Sequence, residues 1–91
     1  MKQRVVLKIF GRVQGVSFRV GAASKARLLG LTGWVQNESD GCVRVIAEGE
    51  QEQLQSFINW CKKGPEHAKV NKVEADWRPD QGEWQSFSII Y

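Results

Sequence analysis

The sequence predicts an α+β sandwich, with two helices on one face of a mainly antiparallel sheet. Three observations predict it. Five stretches alternate apolar and polar residues with the period of two of a half-buried strand, and two others repeat apolar residues at spacings of three and four. The stretches follow one another as βαββαβ with a further strand at the C-terminus. Gly- and Pro-containing breaks separate them, as at Gly64-Pro65 and Pro79-Asp80-Gln81-Gly82. Right-handed crossovers then place both helices on the same side of the sheet, which is the ferredoxin-like arrangement.

The first strand is expected over residues 4–10, with Val5, Leu7 and Ile9 on one face and Val6, Lys8 and Phe10 on the other. Two largely apolar faces mark it as central. A loop from Gly11 to Val16 follows. Ser17 is placed to cap a helix over 18–29, whose Phe18, Ala22, Ala26 and Leu29 share a stripe, and Gly30 stops it. Residues 31–37 and 42–48 are expected to pair as an antiparallel hairpin through the turn formers Asn37-Glu38-Ser39-Asp40-Gly41. The second helix carries Leu54, Phe57, Ile58 and Cys61 on its core face. Its Glu50 and Glu52 sit at the start and Lys62 and Lys63 at the end, as the helix dipole favours. Strands over 69–78, presenting Val73, Ala75 and Trp77 on one side, and over 84–91, with Phe87, Ile89 and Tyr91 in alternation, complete the pattern.

At 91 residues, 42% of them hydrophobic, the chain is expected to form one domain over 1–91 with a single core. Its apolar runs fall far short of a membrane span, and Met1-Lys2-Gln3-Arg4 leads into a strand pattern without an apolar signal region, so no membrane association and a cytoplasmic location are expected. Cys42 and Cys61 have no C-x-x-C spacing, which removes any recognisable zinc or redox motif. In a reducing compartment both are most simply free thiols.

Charge is distributed more tellingly than its net value of +3 suggests. The first 37 residues hold seven basic side chains (Lys2, Arg4, Lys8, Arg12, Arg19, Lys25 and Arg27) and no acidic one, whereas the remainder holds six basic and ten acidic. Within the basic part lies Gly11-Arg12-Val13-Gln14-Gly15-Val16-Ser17-Phe18-Arg19. A glycine-bracketed curve leading into a helix N-terminus can turn successive N–H groups onto an anion. Arg19 in the first turn opposes the helix dipole unless something negative lies between them. Loop, helix end and Arg19 thus suggest a phosphate-sized ligand. A P-loop is excluded, because Gly15 is followed by Val-Ser and not by Lys-Ser or Lys-Thr.

This segment resembles the first signature of the acylphosphatase family. Gly33-Trp34-Val35-Gln36-Asn37, followed after three residues by Gly41-Cys42-Val43 and then by Gly49, resembles the second. Singly, each feature has a plain structural explanation; both signatures in their expected strand-loop-helix context do not. The resemblance implies the same fold and a small metal-free hydrolase, without cofactor, that cleaves the carboxyl-phosphate anhydride of acyl phosphates. It implies that Arg19 binds phosphate, that Asn37 positions the attacking water, and that N–H groups of Arg12, Val13, Gln14, Gly15, Val16 and Ser17 cradle the phosphoryl group.

Small acyl phosphates as substrate, inorganic phosphate as product and inhibitor, no nucleic acid, and a monomeric state follow as expectations. Ser17 stands at a position that varies in the family. Glu38 stands where a smaller or uncharged residue is frequent, and it would raise KM if it faced the ligand. His67 has no periodicity that brings it to the site. Phe18 is expected in the core, while Trp34 could belong to the core or shelter an acyl group. The competing reading is a non-catalytic phosphate- or RNA-binding module; against RNA, the expected outer face of the third strand carries Arg44, Ile46 and Glu48 and no stacking aromatic.

Overall fold

The computed structural model describes residues 1–91. Its elements are β1 (Lys2–Arg12), α1 (Phe18–Leu28), β2 (Thr32–Asn37), β3 (Val43–Glu50), α2 (Gln51–Lys63), β4 (Lys69–Pro79) and β5 (Phe87–Ile90), in the expected order. They form one five-stranded sheet, β4-β1-β3-β2-β5, in which β5 runs parallel to β2 and every other pair is antiparallel.

Period-two alternation sends Val5, Leu7 and Ile9 of β1, Val35 of β2, and Val43, Val45 and Ala47 of β3 toward the helices. There they meet Phe18, Ala22 and Ala26 of α1 and Leu54, Phe57, Ile58 and Cys61 of α2 in one buried cluster. Aromatic rings bridge the layers, Phe18 against Trp60 at 5.4 Å and Phe57 against Phe87 at 6.0 Å between centroids. Both cysteines are buried free thiols. No helix is long and apolar enough to cross a membrane.

Several local expectations are corrected. Strand β1 runs on through Gly11 and Arg12, which pair with Val70 and Lys69 after a shift of register at Phe10/Gly11. That irregularity lets both Val70 and Val73 of β4 pack on the core. Because β4 is an edge strand, Ala75 and Trp77 beyond them are exposed. The last strand is only four residues long. Trp84 lies outside it, over the Arg4 guanidinium at 4.7 Å, in the connection that carries the chain from one edge of the sheet to the other.

That connection also covers the one buried ion pair of the sheet. Arg4 Nε donates to Glu48 Oε2 at 2.8 Å, Arg4 Nη2 lies 3.0 Å from Glu83, and the Gln81 N–H donates to the same Glu48 oxygen at 2.9 Å. Burial opposes the charge on Glu48, but the Gln81 N–H and Arg4 outweigh it and hold the carboxyl below its usual range.

Candidate active site

The turn from β1 into α1 is built on two left-handed residues, Gly15 at φ 74° and Ser17 at φ 62° and ψ 27°. A Cβ at Gly15 would meet nothing within 4 Å, so backbone conformation and not space calls for glycine there. Ser17 is the only non-glycine residue with positive φ. This corrects its expected role. A capping serine has extended backbone angles that aim Oγ at the next turn, and left-handed Ser17 makes no side-chain cap.

The backbone consequence is large. None of the N–H groups of Val13 to Ser17 finds an acceptor within the protein; the backbone bonds outside helices and ladders resume at Gly21 N–H to the Ser17 carbonyl. The start of α1 adds N–H groups of its own, and its first turn holds no acidic residue. Buried Val13 and Phe18, each 1% exposed, pin the two ends of the turn to the core.

A cavity of about 270 Å³ opens on this turn, lined by Val13, Gly15, Ser17, Phe18, Arg19, Val20, Asn37 and Tyr91. Arg19 forms no ion pair with any carboxylate. Its guanidinium is steadied by the Tyr91 ring at 4.8 Å and by a long bond of 3.4 Å from Nη1 to the Ile90 carbonyl. Asn37, the last residue of β2, brings a buried Oδ1 that has no hydrogen-bond partner. Leaving such an acceptor unpaired costs about 1–3 kcal/mol, which a bound donor would recover.

Of the residues singled out in the sequence, the cavity therefore gathers Val13, Gly15, Ser17, Arg19 and Asn37. Arg12, Gln14 and Val16 do not line it. Gln14 faces the other way, with Nε2 donating to the carbonyls of Glu38 at 2.8 Å and Cys42 at 2.9 Å, so that it ties the turn to the β2–β3 hairpin. Glu38, expected as a possible neighbour of the ligand, instead lines a cavity of about 300 Å³ on the open face of the sheet with Lys8, Arg44, Glu74 and Asp76. Mixed charges make that cavity a poor anion site. Trp34 lies on the open face as well, with Arg44 at 5.9 Å, and His67 lines neither cavity.

The acylphosphatase family model matches residues 5–89. The chain belongs to the acylphosphatase family. An acylphosphatase of Roseiflexus sp. (strain RS-1) is 47% identical over 83 residues, 91% of this chain and 89% of that protein. The crystal structure of an acylphosphatase from Bacillus subtilis superposes with a TM-score of 0.92 at 37% identity and full coverage of both chains. That of one from Coxiella burnetii gives 0.93 at 32% identity, covering 98% of this chain and 93% of the other. These likenesses run through the whole α+β sandwich, extra strand included, and favour hydrolysis of acyl phosphates over a non-catalytic binding module.

Two residues that line this cavity escape a sequence reading. Val20 and Tyr91 carry no motif, and alternation puts Tyr91 in a strand that in fact ends at Ile90. What brings Tyr91 to Arg19 is the parallel pairing of β5 with β2, reinforced by Arg27 of α1, whose Nε and Nη2 both donate to the Phe87 carbonyl at 3.1 and 2.9 Å. Pairing between distant segments leaves no trace in local periodicity.

Proposed function

We propose that the turn binds the phosphoryl group of an acyl phosphate and that Asn37 presents water to it. The observation that carries this is the run of unpaired N–H groups from Val13 to Ser17, of which Val13, Gly15 and Ser17 line one cavity together with Asn37 and with Arg19, a cation that has no carboxylate partner. Phosphate oxygens accept from N–H groups within residues 13–17, Arg12 being paired with Lys69 in the sheet, and from the planar fork of Arg19, which suits bidentate recognition. Each charge-assisted bond contributes about 1.5–3 kcal/mol, enough together to hold the anion without a metal.

Catalysis follows from the same donors. Negative charge spreads over the equatorial phosphoryl oxygens as the anhydride P–O bond breaks, and donors fixed in advance stabilise it without reorganising. The side-chain amide of Asn37, which lines the cavity, hydrogen-bonds a water molecule and holds it in line. The water oxygen bonds to phosphorus, the carboxylate leaves with the electron pair of the broken bond, and the proton passes to a phosphoryl oxygen. A carboxylate is a good leaving group, so no acid is required of the protein. The same contacts hold inorganic phosphate as product and inhibitor. The enzyme acts as a monomer in the cytoplasm, without cofactor or nucleic acid.

Benzoyl phosphate hydrolysis in excess chelator tests this for the native protein, Arg19→Ala and Asn37→Ala. Native turnover is expected to resist the chelator, and each variant to lose about 10³-fold in kcat/KM. Arg19→Ala is expected also to lose inhibition by inorganic phosphate, and Asn37→Ala to retain it. Chelator-sensitive turnover, or equal loss of phosphate inhibition in both variants, would refute the roles assigned.

A further inference from the structure

We propose that Arg27, near the far end of α1 from the cavity, is a positioning residue for the reaction: it fastens β5 to the helix and so holds Arg19 ready for the phosphoryl group. This rests on the reading above, in which Arg19 binds phosphate. Strand β5 is four residues long and lies at an edge of the sheet, paired on one side alone, with β2. The Ser86 carbonyl just before it accepts from Gly33 N–H at 3.0 Å, so alternation turns the Phe87 carbonyl outward, where no further strand lies. Arg27 takes the place of that strand. Its Nε and Nη2 both donate to the Phe87 carbonyl, at 3.1 and 2.9 Å.

Arg19 and Arg27 are the two side chains of α1 that hydrogen-bond to β5. Eight helical residues rise about 12 Å and the three strand steps from Phe87 to Ile90 about 10 Å, so the two arginines meet carbonyls at opposite ends of the strand. The two fastenings are unequal. Arg27 makes two short bonds, whereas Arg19 makes one long bond of 3.4 Å to the Ile90 carbonyl and lies over the Tyr91 ring at 4.8 Å. A guanidinium held that loosely can turn its fork onto an anion, provided the strand beside it stays in place. Arg27 meets this condition from outside the cavity, which it does not line. Its position in the last turn of α1 also suits the helix dipole, but a dipole contact does not call for two nitrogens on one β5 carbonyl. If β5 is released for part of the time, every phosphate ligand binds more weakly by the share of molecules in which Arg19 is misplaced, while the bound complex reacts as before.

The test uses Arg27→Met, which keeps the aliphatic stem and removes the donors, under conditions where urea denaturation shows it to be folded. In benzoyl phosphate hydrolysis its KM and the inhibition constant of inorganic phosphate are expected to rise together, about 10-fold, with kcat within about twofold of native. Hydrogen exchange at the Gly33 amide, which pairs with Ser86, is expected to be faster than in the native protein. Because the effect passes through Arg19, the same change should lower kcat/KM about 10-fold in the native background and less than about twofold in an Arg19→Ala background. Native KM and phosphate inhibition in folded Arg27→Met, native exchange at Gly33, or an undiminished effect in the Arg19→Ala background each overturns the proposal. Arg19→Ala alone separates this failure from that of the underlying reading. If Arg19→Ala keeps phosphate inhibition, the phosphate assignment falls and the proposal with it; if it loses inhibition while Arg27→Met retains native inhibition, the positioning role alone is wrong.

Discussion

Replacing Gln14 by leucine keeps the size of the side chain and removes the amide that joins the phosphate turn to the hairpin carrying Asn37. Two hydrogen bonds are lost, to Glu38 O at 2.8 Å and Cys42 O at 2.9 Å. At about 0.5–1.5 kcal/mol each they amount to roughly 1–3 kcal/mol. Neither carbonyl is orphaned, however, since Glu38 O still accepts from Gly41 N–H at 3.1 Å and Cys42 O from Glu38 N–H at 2.8 Å. The lower half of the range applies, about 1–2 kcal/mol, equivalent to a Tm lower by roughly 4–15 °C for a domain of this size. Catalysis should suffer more than stability. A water held by Asn37 must lie in line with a phosphoryl group held by the turn, and a misplacement of about 1 Å costs on the order of 100-fold. Urea denaturation gives the first quantity and kcat on benzoyl phosphate under native conditions the second. Native kcat in a Gln14→Leu protein destabilised by the expected amount would show that the hairpin finds its place without Gln14, and would refute the coupling.

Two further expectations concern the scaffold. Arg4→Met leaves Glu48, which is 2% exposed, without its cation and should destabilise the fold by about 3–5 kcal/mol, whereas the double variant with Glu48→Met should recover most of that loss; a double-mutant cycle by denaturant titration measures both. Asp40 in the β2–β3 turn accepts from Lys8, at 2.9 Å, and from the Cys42 N–H, at 3.0 Å, and its pKa is lowered from 3.8 to about 2. A depressed folded-state pKa stabilises above the unfolded value and ceases to do so as pH falls through the folded one. The native denaturation midpoint should therefore fall more steeply between about pH 4 and pH 2 than that of Asp40→Asn, and parallel curves would contradict the assignment.

Local pattern carried most of the fold, and apart from the backbone of Ser17 what it missed was decided by partners distant in sequence. The order of elements, the helix-facing residues of β1 and β3, and the core stripe Leu54, Phe57, Ile58 and Cys61 all follow from periodicity, because each depends on which face of one element meets the core. The phosphate turn and Asn37 were legible as motifs. Residues whose place is decided by a distant partner were not. Glu48 alternates with Ala47 and so points to the open face, where a solvent-exposed carboxylate is the ordinary outcome; the connection from β4 to β5 closes over it and makes it buried. Gln14 lies within the candidate phosphate turn, yet its side chain serves the neighbouring hairpin.

Ser17 shows why the turn does not close on itself. A serine in the ordinary capping conformation would satisfy N–H groups at the start of α1 with its own hydroxyl, and the helix would be stabilised by about 1 kcal/mol. Left-handed Ser17 forgoes that bond and adds strain of about 1–2 kcal/mol, so the turn stays unsatisfied at a cost of roughly 2–3 kcal/mol. The buried side chains on either side, Val13 and Phe18, hold it there. An anion that accepts from several of these N–H groups recovers the missing bonds and neutralises Arg19, which otherwise faces the positive end of the helix dipole. In the proposed reading, affinity for phosphate and an unfavourable conformation thus have one origin, since donors already paired within the chain would have nothing to offer a ligand.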